Sequence, residues 1–301
     1  MNDIAIRRGL TEQGEVPIAY EDWGNIAHPP LLLIMGIGAQ MLLWPDDFCR
    51  ALVDKGFRVI RFDNRDVGLS GKTQGKRLQP LWLLILRAQL GWQTQVPYSL
   101  EDMAKDAVHL LDHLKIAQAH VLGASMGGMI AQVLAAEYPQ RVKSLTILFS
   151  STNQPLLPPP APSLLKLLLR RPPANATPQQ QCQSLKEGLR ALGSPAYPVE
   201  EAELDILVRR LLKRGMDAEG LQRQLSALLG SGDLRRYSRR ITAPTLVIHG
   251  NADRLVRKAG GVAVARAIAH SQLQVIPKMG HDLPPQLRSQ LIEMISAHAA
   301  R

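Results

Sequence analysis

A strand, an abrupt turn and a helix follow one another in VLGASMGGMIAQVLAAEYP, residues 121–139, with a serine at the apex. The apolar run ends at Gly123, Ser125 stands between small residues, and Met126, Met129, Ile130, Val133 and Leu134 begin a helical period at once. A turn this sharp puts Ser125 in a strained backbone conformation. The residues two before and two after it must then lack side chains where strand and helix approach, and Gly123 and Gly127 meet that need. The helix aims its first N–H groups at any negative charge that develops beside the serine. The stretch reads as a nucleophile elbow.

The rest of the chain repeats the same rhythm. Residues 4–23 read as a hairpin, and LLLIMG, ending at Gly36, and GFRVIRFD, ending at Asp63, are near-continuous apolar runs expected of strands covered on both faces. Helical spacing marks residues 45–55 and 81–90. In the helix that follows Tyr98, Ser99 is a candidate N-cap with Asp102 completing a short capping box. RVKSLTILFSS after the elbow is another buried strand, and alternation of this kind implies an open, mostly parallel sheet with helices on both faces. At Pro155 the pattern breaks: QPLLPPPAPS holds five prolines and cannot be a core strand. Helical segments without strand-like runs follow (LLKLLLRR, then three longer ones), so residues 155–235 read as a helical insertion, or cap. The αβ rhythm resumes with the strand APTLVIHG, a helix over residues 261–269, the strand SQLQVIP and a last helix over residues 284–298.

In such a sheet the reactive rim lies at the C-terminal ends of the strands. Ser125 stands at one of them, Asp253 follows TLVIHG in the loop NADRLV, and His281 follows LQVIP in KMGHD. A serine nucleophile needs a neutral imidazole to take its proton and a buried carboxylate to orient that imidazole. Ser125, Asp253 and His281 supply these in the chain order associated with this elbow. SSTNQ, after the strand containing Leu145, offers no carboxylate. Asp282 adjoins the histidine but its side chain should diverge, and His249 is expected to be packed or hydrogen-bonded locally. For the oxyanion, the backbone N–H of Met126 is one donor, and that of Ile37, in the Gly36-Ile37-Gly38 turn, is the second. The glycines there do not make a phosphate cradle. Neither G-x-x-x-x-G-K-[ST] nor G-x-G-x-x-G occurs, and Gly71-Lys72-Thr73 lacks the earlier glycine.

The chain of 301 residues suits one large domain or a domain with an insertion, and at 46% hydrophobic but only 4% aromatic its core must rest on Leu, Ile, Val and Ala. The net charge of +10 comes from dispersed arginines in short doublets such as Arg209-Arg210 and Lys213-Arg214, a pattern of a solvated surface more than of a nucleic-acid partner. Cys49 and Cys182 have no metal or redox spacing and read as free thiols of a reducing compartment. No signal-like start and no run of membrane-spanning length stand out, so the expected location is cytoplasmic. His109 and His113, four apart on one helix, have no third ligand nearby and read as helix-surface residues.

GASMGG around Ser125, MGIG at Ile37, HGNADRLV around Asp253 and GHD at His281 together resemble the α/β-hydrolases of the esterase, lipase and perhydrolase-like group, over essentially the whole chain. Residues 31–70 resemble a narrower subset that includes the aclacinomycin methylesterases. The resemblance implies a cofactor-free, metal-free α/β-hydrolase fold. Its central sheet would be eight-stranded and mostly parallel, with a cap inserted after the sixth strand. Residues 1–154 and 236–301 would then form the core domain and residues 155–235 the cap. Many members carry His before the glycine of the oxyanion turn; here it is Met35. Relatives that cleave carbon–halogen bonds or epoxides use an aspartate at the elbow, whereas Ser125 leads to an acyl-enzyme. The expected activity is therefore that of a serine carboxylic ester hydrolase acting with water on small to medium apolar esters, including a methyl ester of an aromatic polyketide. Lactone hydrolysis and cofactor-free perhydrolysis use the same three residues. A non-catalytic small-molecule receptor on the same scaffold is the alternative from another class. Oligomeric state leaves no mark in the sequence.

Overall fold

The apolar runs of the sequence become the centre of one sheet. The structure, a computed structural model, describes residues 4–12, 14–74, 79–168 and 176–300. Eight strands lie in the order β1-β2-β4-β3-β5-β6-β7-β8. They are β1 (Ile6–Leu10), β2 (Ala19–Trp23), β3 (Pro30–Ile34), β4 (Arg58–Phe62), β5 (Ala119–Ala124), β6 (Val142–Leu148), β7 (Thr245–Gly250) and β8 (Gln272–Ile276). β1 pairs antiparallel with β2, as the hairpin reading of residues 4–23 required; β2 also pairs antiparallel with β4, and every other pairing is parallel.

Period-2 alternation divides each central strand between two cores. Leu32 and Ile34 of β3, with Val121 of β5, face a layer containing Met103, Leu110, Ile130 and Leu134. Leu31 and Leu33, with Leu122, face the opposite layer, which holds Phe48, Leu52, Leu291 and Ile295. The first layer comes from α3 (Leu100–His113) and α4 (Met126–Glu137). The second comes from α1 (Asp46–Asp54) and α11 (Pro285–Ala299). This is why the strands read as unbroken apolar runs: neither face meets water. The core is mainly aliphatic, yet all four phenylalanines are buried in it, as are Trp23 and Trp44, whereas Trp82 and Trp92 are exposed. Ser99 caps α3 with the reciprocal bonds anticipated: its hydroxyl accepts from Asp102 N–H, and Asp102 Oδ2 accepts from Ser99 N–H at 3.0 Å.

α2 (Leu81–Gln89) forms where helical spacing was read. After β6 the described chain is helical until β7: α5 (Pro162–Leu168), α6 (Pro178–Leu192), α7 (Glu201–Lys213), α8 (Ala218–Gly230) and the short α9 (Arg235–Ser238). α10 (Lys258–Ala267) begins three residues before the sequence reading. Residues 75–77 of the polar loop and 169–171 of LLKLLLRR lie outside the described residues. Two readings are corrected. His109 and His113 are half-buried, with His113 Nε2 3.2 Å from the Tyr20 hydroxyl. The basic doublets are not all solvated: Arg214 is half-buried and ion-paired with the buried Asp63. Among the described residues, no helix is long and apolar enough to cross a membrane, and Cys49 and Cys182 are free thiols.

Candidate active site

The elbow is built on steric necessity. Ser125 ends β5 and opens α4 with φ 56° and ψ −124°, a conformation that a residue with a side chain avoids unless its surroundings enforce it. A Cβ added to Gly123 would be driven into the Gly127 carbonyl, and one added to Gly127 into the carbonyl of Ile34 on the neighbouring strand. Ser125 N–H bonds to Leu148 O at 3.0 Å, and its carbonyl accepts from Gly128 N–H at 2.9 Å and from the buried Ser150 hydroxyl at 2.6 Å. Ser150 stands two residues beyond the end of the adjacent strand β6, and nothing in SSTNQ marks it as a site residue in the sequence.

Ser125, His281 and Asp253 come together. His281 Nε2 lies 2.9 Å from Ser125 Oγ, and His281 Nδ1 lies 2.7 Å from Asp253 Oδ2. A carboxylate only accepts, so Nδ1 carries the proton and the neutral ring presents Nε2 as an acceptor to the serine hydroxyl. The other carboxylate oxygen, Oδ1, accepts from Leu255 N–H at 2.8 Å and Val256 N–H at 2.9 Å. Burial would raise the Asp253 carboxyl, but its electrostatic interaction with the His281 ring and the hydrogen bonds from His249 and His281 outweigh it and hold the group well below its ordinary range. His249 is packed as expected, its Nε2–H donating to Val256 O at 2.7 Å and lying 3.5 Å from Asp253 Oδ2. The Phe149 ring stands against the His281 imidazole, centroids 4.7 Å apart.

Asp282 diverges. It accepts from Ser194 Oγ at 2.5 Å, and burial pushes its carboxyl above the usual carboxylate value despite that bond. Ser194 belongs to the turn after α6; its Oγ also accepts from Gly280 N–H at 2.7 Å, while His281 N–H donates to Leu192 O at 2.9 Å. The histidine loop therefore leans on the helical segment.

The Gly36-Ile37-Gly38 turn abuts the serine: a Cβ on Gly36 would stand 2.9 Å from Ser125 Cβ and 3.3 Å from its Oγ. Ala39 N–H closes the turn on Gly36 O at 3.3 Å, and Gly38 takes φ +63°. Ile37 follows the glycine that abuts Ser125, and Met126 directly follows Ser125 in the chain. In place of a histidine at position 35, the Met35 carbonyl accepts from Asn64 Nδ2 at 2.8 Å, and Gly38 N–H donates to Gln224 Oε1 of α8 at 2.7 Å. Neither amide was read from the sequence. No group of three or more His, Cys, Asp or Glu side chains among the described residues is arranged to hold a metal ion.

A hydroxyl hydrogen-bonded to an oriented imidazole, at a helix N-terminus and beside a glycine turn, has the geometry that attack on a carbonyl carbon requires. Comparison with known proteins agrees in kind. The family model described as alpha/beta hydrolase fold matches residues 29–285. The rhodomycin D methylesterase DnrP of Streptomyces peucetius is 29% identical over 94% of this chain and 95% of its own. The 3-oxoadipate enol-lactonase 2 of Acinetobacter baylyi is 28% identical over 89% of this chain and 87% of its own. Among solved structures, a hydrolase from Pseudomonas aeruginosa superposes with a TM-score of 0.69 at 26% identity, covering 97% of this chain and 96% of that one.

Proposed function

Because this chain belongs to the α/β-hydrolase family, with methylesterase relatives, we propose that it is a serine carboxylic ester hydrolase in which Ser125, His281 and Asp253 act as a triad. One observation carries the reading: the unbroken relay from Asp253 Oδ2 through both nitrogens of His281 to Ser125 Oγ, at 2.7 and 2.9 Å. Ser125 Oγ attacks the ester carbonyl carbon as His281 Nε2 takes the hydroxyl proton. The tetrahedral oxyanion is met by the backbone N–H groups of Ile37 and Met126. His281 returns the proton to the leaving alkoxide as the C–O bond breaks, leaving an acyl-serine. Water repeats the sequence, giving the carboxylic acid and free Ser125. Each oxyanion donor is worth about 3 kcal/mol in such a transition state. Asp253 stabilises the imidazolium formed in each half-reaction.

In this proposal residues 155–235 are a cap over the core formed by residues 1–154 and 236–301. Leu221 of α8 stands over the oxyanion turn, its Cδ1 only 2.7 Å from where a Cβ on Gly38 would be. With Ile37 and Phe149 it gives the rim an apolar character suited to an ester with an apolar portion. Methyl esters are favoured by the two rhodomycin D methylesterases among the relatives. A lactone is the second reading, favoured by the enol-lactonase relative; the same attack opens a ring ester.

Hydrolysis of p-nitrophenyl esters from C2 to C12, and of methyl esters and lactones, by wild type and Ser125→Ala tests this. Turnover that disappears in Ser125→Ala is expected. A folded wild type that hydrolyses none of them would sink the proposal, and tight binding without turnover would point to a receptor.

A further inference from the structure

The oxyanion turn is held at both ends by side-chain amides. Asn64, in the loop after β4, donates to the Met35 carbonyl at 2.8 Å, on the near side of Ile37. Gln224, in the middle of α8, accepts from Gly38 N–H at 2.7 Å on the far side. Gln224 is completely buried, and its Nε2 donates to the Arg65 carbonyl at 2.8 Å. A backbone N–H can only donate and a carbonyl can only accept, so these two partners leave one orientation for the amide. Both ends face a fixed backbone group, and the Arg65 end is rigid. The Arg65 guanidinium is clamped by the buried Asp106 carboxylate at 2.6 and 2.8 Å.

We propose that Gln224 is a positioning residue for the oxyanion turn: by bracing Gly38 against Arg65, it aims the Ile37 N–H at the place where negative charge develops. This rests on the ester-hydrolase reading, which gives the turn its purpose. The helical segment is then a working part of the site as well as a wall of the pocket, because the turn has its required shape only when α8 is seated. At position 35 a methionine side chain offers the turn no hydrogen bond; the Asn64 and Gln224 amides hold it instead.

Two features separate this role from pocket lining. Both polar ends of Gln224 are engaged and buried, so it has none to offer a substrate. α8 is also seated by contacts that do not involve Gln224. Arg223 makes a two-pronged contact with the buried Asp66 carboxylate, 3.0 Å at each oxygen. Asp217 caps the helix by accepting from Gly220 N–H at 2.8 Å. Removing the Gln224 amide should therefore loosen the turn while leaving the helix in place.

Gln224→Met, of nearly the same size but with no group for Gly38 or Arg65, is the primary test. Gln224→Asn, too short to bridge the two, carries it if the methionine variant does not fold. On the best p-nitrophenyl ester, kcat should fall by roughly 10- to 100-fold, below the full loss of a donor, with KM changed by less than about threefold. Affinity for a phenylboronic acid, which forms a tetrahedral adduct on the serine, should fall by a similar factor, while affinity for the product acid stays. Unchanged kcat and boronate affinity in a folded variant would overturn the inference, as would a rise in KM with kcat intact. An inactive wild type would instead remove the ester-hydrolase reading and this inference with it.

Discussion

The Ile34 carbonyl oxygen stands where a Cβ on Gly127 would have to go. Ile34 ends β3 and Gly127 lies in the first turn of α4, so the glycine sets how closely helix and neighbouring strand approach, and thereby where Ser125 projects. Gly127→Ala should cost more than about 2 kcal/mol or abolish folding, because the obstruction is backbone and cannot rotate away. Gly188, within α6, has nothing within 4 Å of its would-be Cβ and no positive φ. Gly188→Ala should therefore be neutral or stabilise by up to about 1 kcal/mol. Urea unfolding of both variants checks the contrast; equal effects would mean that the close approach at Gly127 does not govern the elbow.

Asp253 bonds to a ring nitrogen of His281, whereas Asp282, its neighbour in the chain, bonds to Ser194 instead. Asp253→Asn replaces one acceptor by a donor and disturbs the tautomer that presents Nε2 to Ser125. A fall in kcat of about 10⁴-fold with little change in KM is expected. Asp282→Asn keeps an oxygen for the Ser194 hydroxyl and should stay within about tenfold of wild type, since that side chain reaches the reacting groups only through the loop it supports. Steady-state kinetics on one ester suffices. Comparable losses in both variants would contradict the assignment of Asp253 as the orienting acid.

What could be read in the chain beforehand follows how local each signal is. The elbow was legible because the clash that selects Gly123 and Gly127 acts within a strand–turn–helix of about ten residues. The central strands were legible because burial on both faces leaves an unbroken apolar run, as at Leu31–Ile34. Asp253 was reachable because it follows such a strand, β7, and His281 because the short run LQVI of the edge strand β8 precedes it. Gln224 was not: its partner Gly38 is 186 residues away, and a glutamine in a helix carries no mark of what it will meet. Asn64 and Arg65 were read only as part of a polar loop, since the ion pair with Asp106 that buries Arg65 spans 41 residues. Ser150, one of several small polar residues after β6, became distinctive only once its hydroxyl was seen to face the Ser125 carbonyl.

Cys49 sits in the core behind β4, fully buried, and burial pushes its thiol up to about 12. The thiolate is the reactive form, so this group is protected by both access and protonation. Cys182, half-exposed on α6, lacks that protection. A thiol reagent such as DTNB at pH 8 should titrate one group in the native protein and a second only in denaturant. Two rapid equivalents in the native state would contradict the packing around Cys49.

His120 provides the acid-sensitive element. It lies in the middle of the sheet on β5, its Nδ1 2.8 Å from Ser144 Oγ and its ring edge-on to Phe57. Burial first, and then the positive charge of Lys143 and His298, lower its value from 6.5 to about 4. A folded value below the unfolded one means that the unfolded chain takes up the proton first. The stability held by the neutral ring is thus complete above the unfolded value of 6.5 and is lost as pH falls toward about 4. Asp253, whose carboxyl is also held low, adds a loss of the same sign but only near and below its unfolded value of 3.8, outside this window. Urea midpoints between pH 7.5 and 4.5 should decline more steeply in wild type than in His120→Gln, which keeps a polar partner for Ser144 but has no proton to gain. Parallel curves for the two proteins would mean that His120 is not the group that couples acid to unfolding.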